Sequence, residues 1–279
     1  MVKRIIIALI CLCIFGSISY YNAVNVNPKQ FKIREERINS YKIDKDMDGL
    51  LIGCFSDLYY GTYINDEFVD RAFNSLNSFK PDLIIFGGDL IDPETLYSLS
   101  ESQENSLIEK LSSLNTTYGK FAVLGDQDHG KLEVVERILK ASGFEILNNA
   151  SRLICIDKDS YFNLAGIDSL AGGSPDCEAA LAGINSNYFT FVISHSPDIF
   201  DSAMGFSTDY LFAGHSRGGQ IYLPLISYFT REYGCKKYFR GKLTKNGKTL
   251  DITNGLGMTS AAARLNADAE IVFYTLRHE

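Results

Sequence analysis

The chain has 279 residues, of which 46% are hydrophobic and 22% charged, and its formal net charge is −7. This length suits one large α/β domain and is short for two once the amino terminus is set aside. The composition excludes a disordered chain. The acidic balance argues against a nucleic-acid partner, because binding to a phosphate backbone needs clustered Lys and Arg.

The amino terminus carries Lys3 and Arg4, followed by a charge-free run over residues 5–24. Twenty helical residues rise about 30 Å, which matches the thickness of a bilayer core. We therefore expect an uncleaved membrane anchor over residues 1–24. A signal peptide is the alternative, because the second half of the run is only mildly apolar. The two basic residues predict a single-pass protein of the cell membrane, with the rest of the chain outside the cytoplasm.

Residues 25–48 are polar and charged, which predicts a linker, and the domain is expected over residues 49–279. In its first half, short apolar runs alternate with helical patterns. The predicted order is strand 50–55, helix 67–79, strand 83–86, helix 106–114, strand 120–124 and helix 132–142. The second half is richer in predicted strands, at 152–156, 161–166, 188–193, 210–213, 220–223, 248–253 and 270–276. This order predicts two packed mixed sheets flanked by helices.

The chain has six cysteines and no C-x-x-C pair, so neither a zinc knuckle nor a disulfide scaffold is indicated. Cys11 and Cys13 fall in the amino-terminal apolar run, and we expect Cys54, Cys155, Cys177 and Cys235 to be small buried apolar side chains. A disulfide between Cys155 and Cys177 is the alternative if the domain lies outside the cell.

Polar side chains follow five of the predicted strands where each strand ends. They are Asp57, Asp89, Asp126, His195 and His215. Because ligands of open α/β sheets bind outside the carboxyl ends of the strands, these groups could converge on one crevice. Any one of them is more often a turn or cap residue. Together, three carboxylates and two imidazoles predict a site for a divalent metal ion.

The same residues resemble the calcineurin-like metallophosphoesterase superfamily, in its membrane-associated bacterial branch. That family reads D-x-H, G-D, G-N-H-D, H and G-H-x-H in order. Here the order is Ser56-Asp57-Leu58-Tyr59, Gly88-Asp89, Gly125-Asp126-Gln127-Asp128, Ser194-His195 and Gly214-His215-Ser216-Arg217. The resemblance implies an αββα sandwich behind the amino-terminal transmembrane segment. It also implies divalent metal ions (Mn, Fe or Zn) and hydrolysis of phosphomonoesters or phosphodiesters.

By position, the resemblance makes Asp89 a bridging carboxylate and Asp57 a ligand of a first metal. Asp126, His195 and His215 would complete a second metal site. The first site departs from the family, because Tyr59 and Arg217 stand where the family has histidines. Since a guanidinium cannot bind a metal and stays protonated, we expect one ion, with two as the alternative, and Arg217 in place of the first ion's charge.

The third departure is Gln127, which replaces a histidine that assists phosphate binding and protonation of the leaving group. A glutamine can donate a hydrogen bond to phosphate but cannot transfer a proton. His129 would compensate if its loop turned it inward, and an exposed loop residue is the alternative. We therefore assign catalytic roles to Asp57, Gln127, Arg217 and His129.

Two functions remain open. The first is a phosphoester hydrolase acting near the membrane, on a lipid head group or a lipid-linked precursor. The second is a catalytically impaired pseudoenzyme that binds a phosphate ligand or a partner. Retention of Asp57, Asp89, His195 and His215 favours hydrolysis, because a site that had lost its function would also lose its ligands.

Overall fold

The computed structural model describes residues 1–279 and contains two six-stranded sheets with helices on their outer faces. The strands are β1 (Phe31–Ser40), β2 (Leu51–Phe55), β3 (Leu83–Phe86), β4 (Lys120–Ala122), β5 (Phe144–Ile146), β6 (Ala150–Asp157), β7 (Ser160–Ile167), β8 (Thr190–Ser194), β9 (Tyr210–Ala213), β10 (Gly241–Lys245), β11 (Lys248–Ile252) and β12 (Ala269–His278). The helices are α1 (Val2–Tyr21), α2 (Asp66–Ser78), α3 (Pro93–Ser98), α4 (Glu101–Ser112), α5 (Leu132–Ala141), α6 (Cys177–Leu181) and α7 (Phe200–Ala203).

Both sheets are mixed, as predicted. The first has the order β1-β12-β2-β3-β4-β5, and β2 to β5 run parallel. The second has the order β10-β11-β9-β8-β7-β6, and its four inner strands run parallel between antiparallel edges. The carboxyl ends of β2, β3 and β4 therefore share one edge, and those of β8 and β9 share another. This topology brings the predicted strand-end residues within reach of one another.

Three apolar layers separate the sheets and helices. The central layer lies between the sheets and includes Ile52, Ile85 and Phe212. A second layer covers the outer face of the first sheet, where α2 contributes Phe68 and Phe73. A third, smaller layer lies beneath α6 and α7. The two sheets and the helices on their outer faces form the four layers of an αββα sandwich, which confirms the predicted fold class.

The prediction of a linker over residues 25–48 was wrong for its central part, because residues 31–40 form β1. This strand pairs in parallel with β12 along its whole length. Its sequence is polar, and charge pairing holds it in place: Arg34 lies 2.8 Å from Asp251 and 3.2 Å from Glu270. Because ion pairs hold much of this strand in place, its sequence lacks the alternating apolar pattern from which a strand is predicted.

Two smaller expectations also fail. Residues 220–223 do not form a strand, because Ile221 makes only an isolated bridge to Leu265. Burial of the cysteines holds for Cys54 and Cys235 but was wrong for Cys155, which is exposed, and for Cys177, which is partly buried. All six cysteines are free thiols, so the alternative disulfide between Cys155 and Cys177 does not form.

The amino-terminal helix α1 is long and apolar enough to cross a membrane, and none of it is buried against the domain. It continues as a π-helical turn (Asn22–Val26) and a 3₁₀ turn (Asn27–Lys29). These turns are tied to the domain: the backbone N–H of Arg264 donates to the Ala23 carbonyl at 2.9 Å, and Asn27 donates to the Arg264 carbonyl at 2.9 Å. The helix therefore meets the domain at a fixed point.

Candidate active site

The predicted strand-end residues lie together between the two sheets. Asp57, Asp89 and His215 all adopt the left-handed backbone conformation, with φ of 52°, 60° and 69°. Non-glycine residues pay a conformational cost there, and such residues concentrate at functional sites. Asp57, Asp89, His195 and His215 are also buried. The turn after each strand thus points a polar side chain inward rather than to solvent.

The glycines in these turns are needed for close packing. A Cβ on Gly125 would lie 2.2 Å from Oδ1 of Asp89, and one on Gly214 would lie 2.5 Å from Oδ2 of Asp57. A Cβ on Gly255 would lie 2.6 Å from the Asp57 Cβ, and one on Gly257 would lie 2.2 Å from the Leu58 carbonyl oxygen. The glycines of the Gly-Asp and Gly-His pairs therefore end the strands and also allow neighbouring turns to pack closely against one another.

Each buried imidazole has one ring nitrogen fixed by a backbone carbonyl. Nδ1 of His195 is 2.8 Å from the Gly87 carbonyl, and Nε2 of His215 is 2.8 Å from the Tyr233 carbonyl. A hydrogen bond of this kind sets the tautomer and leaves the other nitrogen free as a ligand. Nε2 of His195 and Nδ1 of His215 therefore face the site.

These two free nitrogens lie close to carboxylates without forming aligned hydrogen bonds. Nε2 of His195 is 3.2 Å from Oδ2 of Asp89, and Nδ1 of His215 is 3.1 Å from Oδ2 of Asp126. Both nitrogens, together with Oδ1 of Asp57, are buried polar atoms with no hydrogen-bond partner. Unpartnered buried groups that face one another suit a shared ligand.

The donor atoms form two overlapping groups that could each hold a metal ion. One comprises Asp126, His195 and His215, and the other comprises Asp57, Asp89 and His195, with donor atoms within 4.8 Å of one another in each. Imidazole nitrogens and carboxylate oxygens are suitable ligands for Mn, Fe or Zn. The residues therefore fit a divalent ion, and His195 belongs to both groups.

Tyr59 and Arg217 lie on the side of the site where the sequence predicts that the first metal ion is missing. The Tyr59 hydroxyl donates a short hydrogen bond to Oδ2 of Asp89. Nη1 of Arg217 donates to the same hydroxyl at 2.8 Å, and Nη2 donates to Glu232 at 2.8 Å. The Arg217 guanidinium therefore reaches Asp89 through the Tyr59 hydroxyl.

Gln127 and His129 are placed differently from the other predicted catalytic residues. The backbone N–H of Gln127 donates to Oδ1 of Asp89 at 2.8 Å, while its side chain is exposed. His129 is partly buried, and its Nε2 lies 3.0 Å from Oδ1 of Asp168. His129 is therefore bound to a neighbouring loop rather than free at the surface. Its pKa is raised, mainly by the hydrogen bond to Asp168.

Sequence reasoning missed the loop that follows β7. Ser169 donates a hydrogen bond to Oδ1 of Asp126 and lies 3.3 Å from Ser196, while Asp168 binds His129. This loop orients Asp126, so that its Oδ2 faces His215. The signal was present, because Ile167-Asp168-Ser169 is another strand end with an aspartate.

Asp128 was also missed as a structural residue. Its carboxylate accepts backbone N–H groups from Asp89, Leu90 and Gly125 at 2.8–2.9 Å, joining the turns after β3 and β4. Burial, followed by the charge of Asp89, raises its pKa to about 6. In the sequence it stands only as the last residue of Gly125-Asp126-Gln127-Asp128, the run that resembles the family's G-N-H-D motif.

The electrostatics of the site are set by these close pairs. Burial acts to lower the pKa of both histidines, but the neighbouring carboxylates outweigh it. The pKa of His195 is raised to about 10, chiefly by Asp89, and that of His215 to about 11, chiefly by Asp126. Burial acts to raise the pKa of Asp89, yet the charge of His195 keeps it below its ordinary value. Burial raises the pKa of Asp57.

Metal uptake should therefore release protons. Before an ion binds, both imidazoles are protonated at neutral pH, and ligation requires their neutral forms. With two protons lost, apparent affinity should rise with pH by up to roughly a hundredfold per unit until pH approaches about 10. Calorimetry in buffers of different ionisation enthalpy would measure the protons released. Affinity that is flat between pH 6 and 8 would contradict the assignment of His195 and His215 as ligands.

A four-layer sandwich with a buried cluster of carboxylates and imidazoles at its strand ends defines the class: a metal-dependent phosphoesterase. The family model described as calcineurin-like phosphoesterase matches residues 50–241. The chain belongs to this family, which confirms the resemblance. It is therefore a hydrolase that acts on phosphoester bonds.

Known relatives agree with this assignment. The chain is 31% identical to the metallophosphoesterase YkuE of Bacillus subtilis, over 92% of this chain and 90% of that protein. It is 25% identical to the phosphodiesterase YaeI of Escherichia coli, over 89% of both chains. It is also 25% identical to the UDP-2,3-diacylglucosamine pyrophosphatase LpxG of Chlamydia muridarum, over 64% of this chain and 66% of that protein.

Proposed function

We propose that this chain hydrolyses phosphoesters at a membrane surface with one divalent ion, held by Asp89, Asp126, His195 and His215. The observation that carries the proposal is the chain of contacts from Arg217 through Tyr59 to Asp89. It puts a fixed positive charge and a hydroxyl where the family has two histidine ligands. A second ion beside Asp57 would lack those imidazoles.

The residues have separable roles in this proposal. When bound, the ion supplies charge stabilisation for the phosphoryl group and an activated water nucleophile. Gly87, Tyr233 and Ser169 hold the ligands in orientation through hydrogen bonds. Nε of Arg217 is buried without a partner, and Arg217 lines a cavity of about 510 Å³. A guanidinium facing such a cavity can donate to a phosphate oxygen.

Proton transfer to the leaving group is the weakest part of this site. Gln127 cannot provide a proton, and His129 is engaged with Asp168. Loss of general acid catalysis typically costs about 10²–10⁴-fold. We therefore propose substrates whose leaving group departs without protonation, such as phosphodiesters or pyrophosphates with an acidic leaving group. The names of the relatives YaeI and LpxG point to the same substrate classes.

The location follows from the amino terminus. The helix α1 supports membrane association, and Lys3 and Arg4 precede it. Basic residues are retained on the cytoplasmic side, so we propose a single-pass protein with its catalytic domain outside the cytoplasm. Lipid head groups or lipid-linked precursors would be within reach of a domain held at this surface. The relative LpxG, a pyrophosphatase named for a diacylated nucleotide sugar, is an example of this chemistry.

Hydrolysis of a chromogenic phosphodiester by the full chain with Mn²⁺ tests this function. We expect turnover that a chelator abolishes and that His215→Ala reduces by at least about 10²-fold. Asp70→Asn is the matched control, because Asp70 is an exposed carboxylate on α2 and should leave turnover unchanged.

The alternative, a pseudoenzyme, gives a different result in the same assay. Wild type would be inactive, and the double variant Tyr59→His with Arg217→His would gain turnover by restoring two imidazoles. Gain in the double variant without activity in wild type would overturn the proposed function.

A further inference from the structure

An apolar segment lies exposed beside the active site. In residues 221–229, Leu225 is 85% exposed, Phe229 84% and Tyr228 63%. Ser227 is buried and closes the turn: its hydroxyl accepts from the Leu223 N–H at 2.9 Å, and its own N–H donates to the Leu223 carbonyl at 2.9 Å. The segment is thus a hydrogen-bonded turn that displays large apolar side chains to its surroundings. A contiguous patch of this kind indicates an interaction surface.

The segment starts where the membrane helix meets the domain. Arg264 binds the end of the helical amino-terminal segment through Ala23 and Asn27. The next residue, Leu265, accepts from the Tyr222 N–H at 2.8 Å and donates to the Gln220 carbonyl at 2.9 Å. The apolar segment and α1 are therefore fastened to two consecutive residues. The surface on which α1 leaves the domain also carries the exposed segment.

The charge around the segment fits a lipid surface. Residues 221–240 contain four basic residues (Arg231, Lys236, Lys237, Arg240) and one acidic residue, Glu232, in a chain whose net charge is −7. Lys237 is paired with Asp201, and the other three basic side chains form no ion pair. Arg231 lies 4.9 Å from the ring centre of Tyr228 and 4.8 Å from that of Phe239. Aromatic rings interleaved with Lys and Arg are typical of segments that lie at a membrane interface with anionic lipids.

We propose that residues 221–229 insert into the interface of the same bilayer that α1 crosses, as a second membrane contact. Ile221, the first residue of the segment, lines the same cavity of about 510 Å³ as Arg217. Insertion places the mouth of this cavity at the level of the lipid head groups. The membrane contact itself does not depend on the proposed hydrolysis.

Strand β1 supplies an internal control for this geometry. It begins at Phe31, just after the amino-terminal turns, and runs for ten residues. At about 3.3 Å per residue, its far end lies about 33 Å from the start. Tyr41 follows that end and is 78% exposed. It is therefore an exposed aromatic residue placed far from the proposed contact.

The chain contains no tryptophan, so a single Phe229→Trp substitution gives a unique fluorescent probe. The full chain is reconstituted into nanodiscs of phosphatidylcholine and phosphatidylglycerol that carry a spin-labelled lipid. We expect Phe229→Trp and Leu225→Trp to show blue-shifted emission and to lose most of their intensity to the spin label. Tyr41→Trp should lose none.

Two outcomes overturn the proposal. If iodide in solution quenches the probes at 225 and 229 but the lipid label does not, the segment faces water. If neither quencher acts, another protein surface covers it, such as a second copy. A thermal unfolding midpoint for each variant equal to that of wild type shows that the domain is folded. Because this readout requires no turnover, failure of the membrane contact and failure of the proposed function are distinguishable.

Discussion

Replacing Asp89 with Asn should abolish metal binding and reduce phosphodiester hydrolysis by at least about 10²–10³-fold, or about 3–4 kcal/mol of transition-state stabilisation. The amide keeps the shape of the side chain and removes its charge. In the wild type, the carboxylate lies 3.2 Å from Nε2 of His195 and accepts from Tyr59 and from the Gln127 N–H. It is the point at which the metal ligands and the Arg217–Tyr59 pair meet.

This variant also tests the electrostatics. The charge of Asp89 is the main cause that raises the pKa of His195 to about 10. In Asp89→Asn that pKa should fall toward its ordinary value, so His195 should titrate closer to neutral pH by NMR. Asp70→Asn serves as the control for both measurements. Full hydrolysis by Asp89→Asn would exclude Asp89 from the metal site.

The second large effect is expected at Arg264. This arginine is 1% exposed, and its guanidinium donates to the carbonyls of Asn254, Gly255, Gly257 and Ala267. Arg264→Met would leave these buried acceptors without donors. We expect it to lower the free energy of unfolding by about 3–5 kcal/mol. Chemical denaturation of the full chain in detergent would measure the change.

The effect should extend to the active site. Arg264 holds the loop over residues 254–257, and in that loop the Gly257 N–H donates to the Asp57 carbonyl at 2.6 Å. Metal affinity should therefore fall along with stability. Arg71→Met is the matched control, because Arg71 also donates to a carbonyl, that of Lys29, but is exposed. Its cost should stay below about 1 kcal/mol. Equal losses in both variants would show that burial of Arg264 contributes nothing.

Much of the site could be predicted from the sequence because its ligands follow apolar strands directly. Each ligand stands one to four residues beyond the end of a strand whose apolar run is evident, and parallel strands bring such ends to one edge. The glycines beside Asp89, Asp126 and His215 mark turns that admit no Cβ. Local pattern and long-range geometry agree at these positions, which is why Asp57, Asp89, His195 and His215 were identified.

The remainder depends on contacts that no local pattern encodes. Arg217 and Tyr59 are 158 positions apart in the sequence. The hydrogen bond between them leaves no periodic pattern in the sequence around either residue. β1 was mistaken for a linker because its partners, Asp251 and Glu270, lie more than 200 residues away. The strand predicted over 220–223 followed an apolar run that turned out to be exposed. An apolar pattern shows that a segment avoids water but not what covers it.

The central claim is that Arg217 and Tyr59 stand in for one metal ion, and counting metal ions per chain tests it most directly. Inductively coupled plasma mass spectrometry of the purified full chain should give one tightly bound divalent ion. The double variant Tyr59→His with Arg217→His should give two, because it restores the imidazole ligands beside Asp57 and Asp89. Two tightly bound ions in the wild-type chain would contradict the claim.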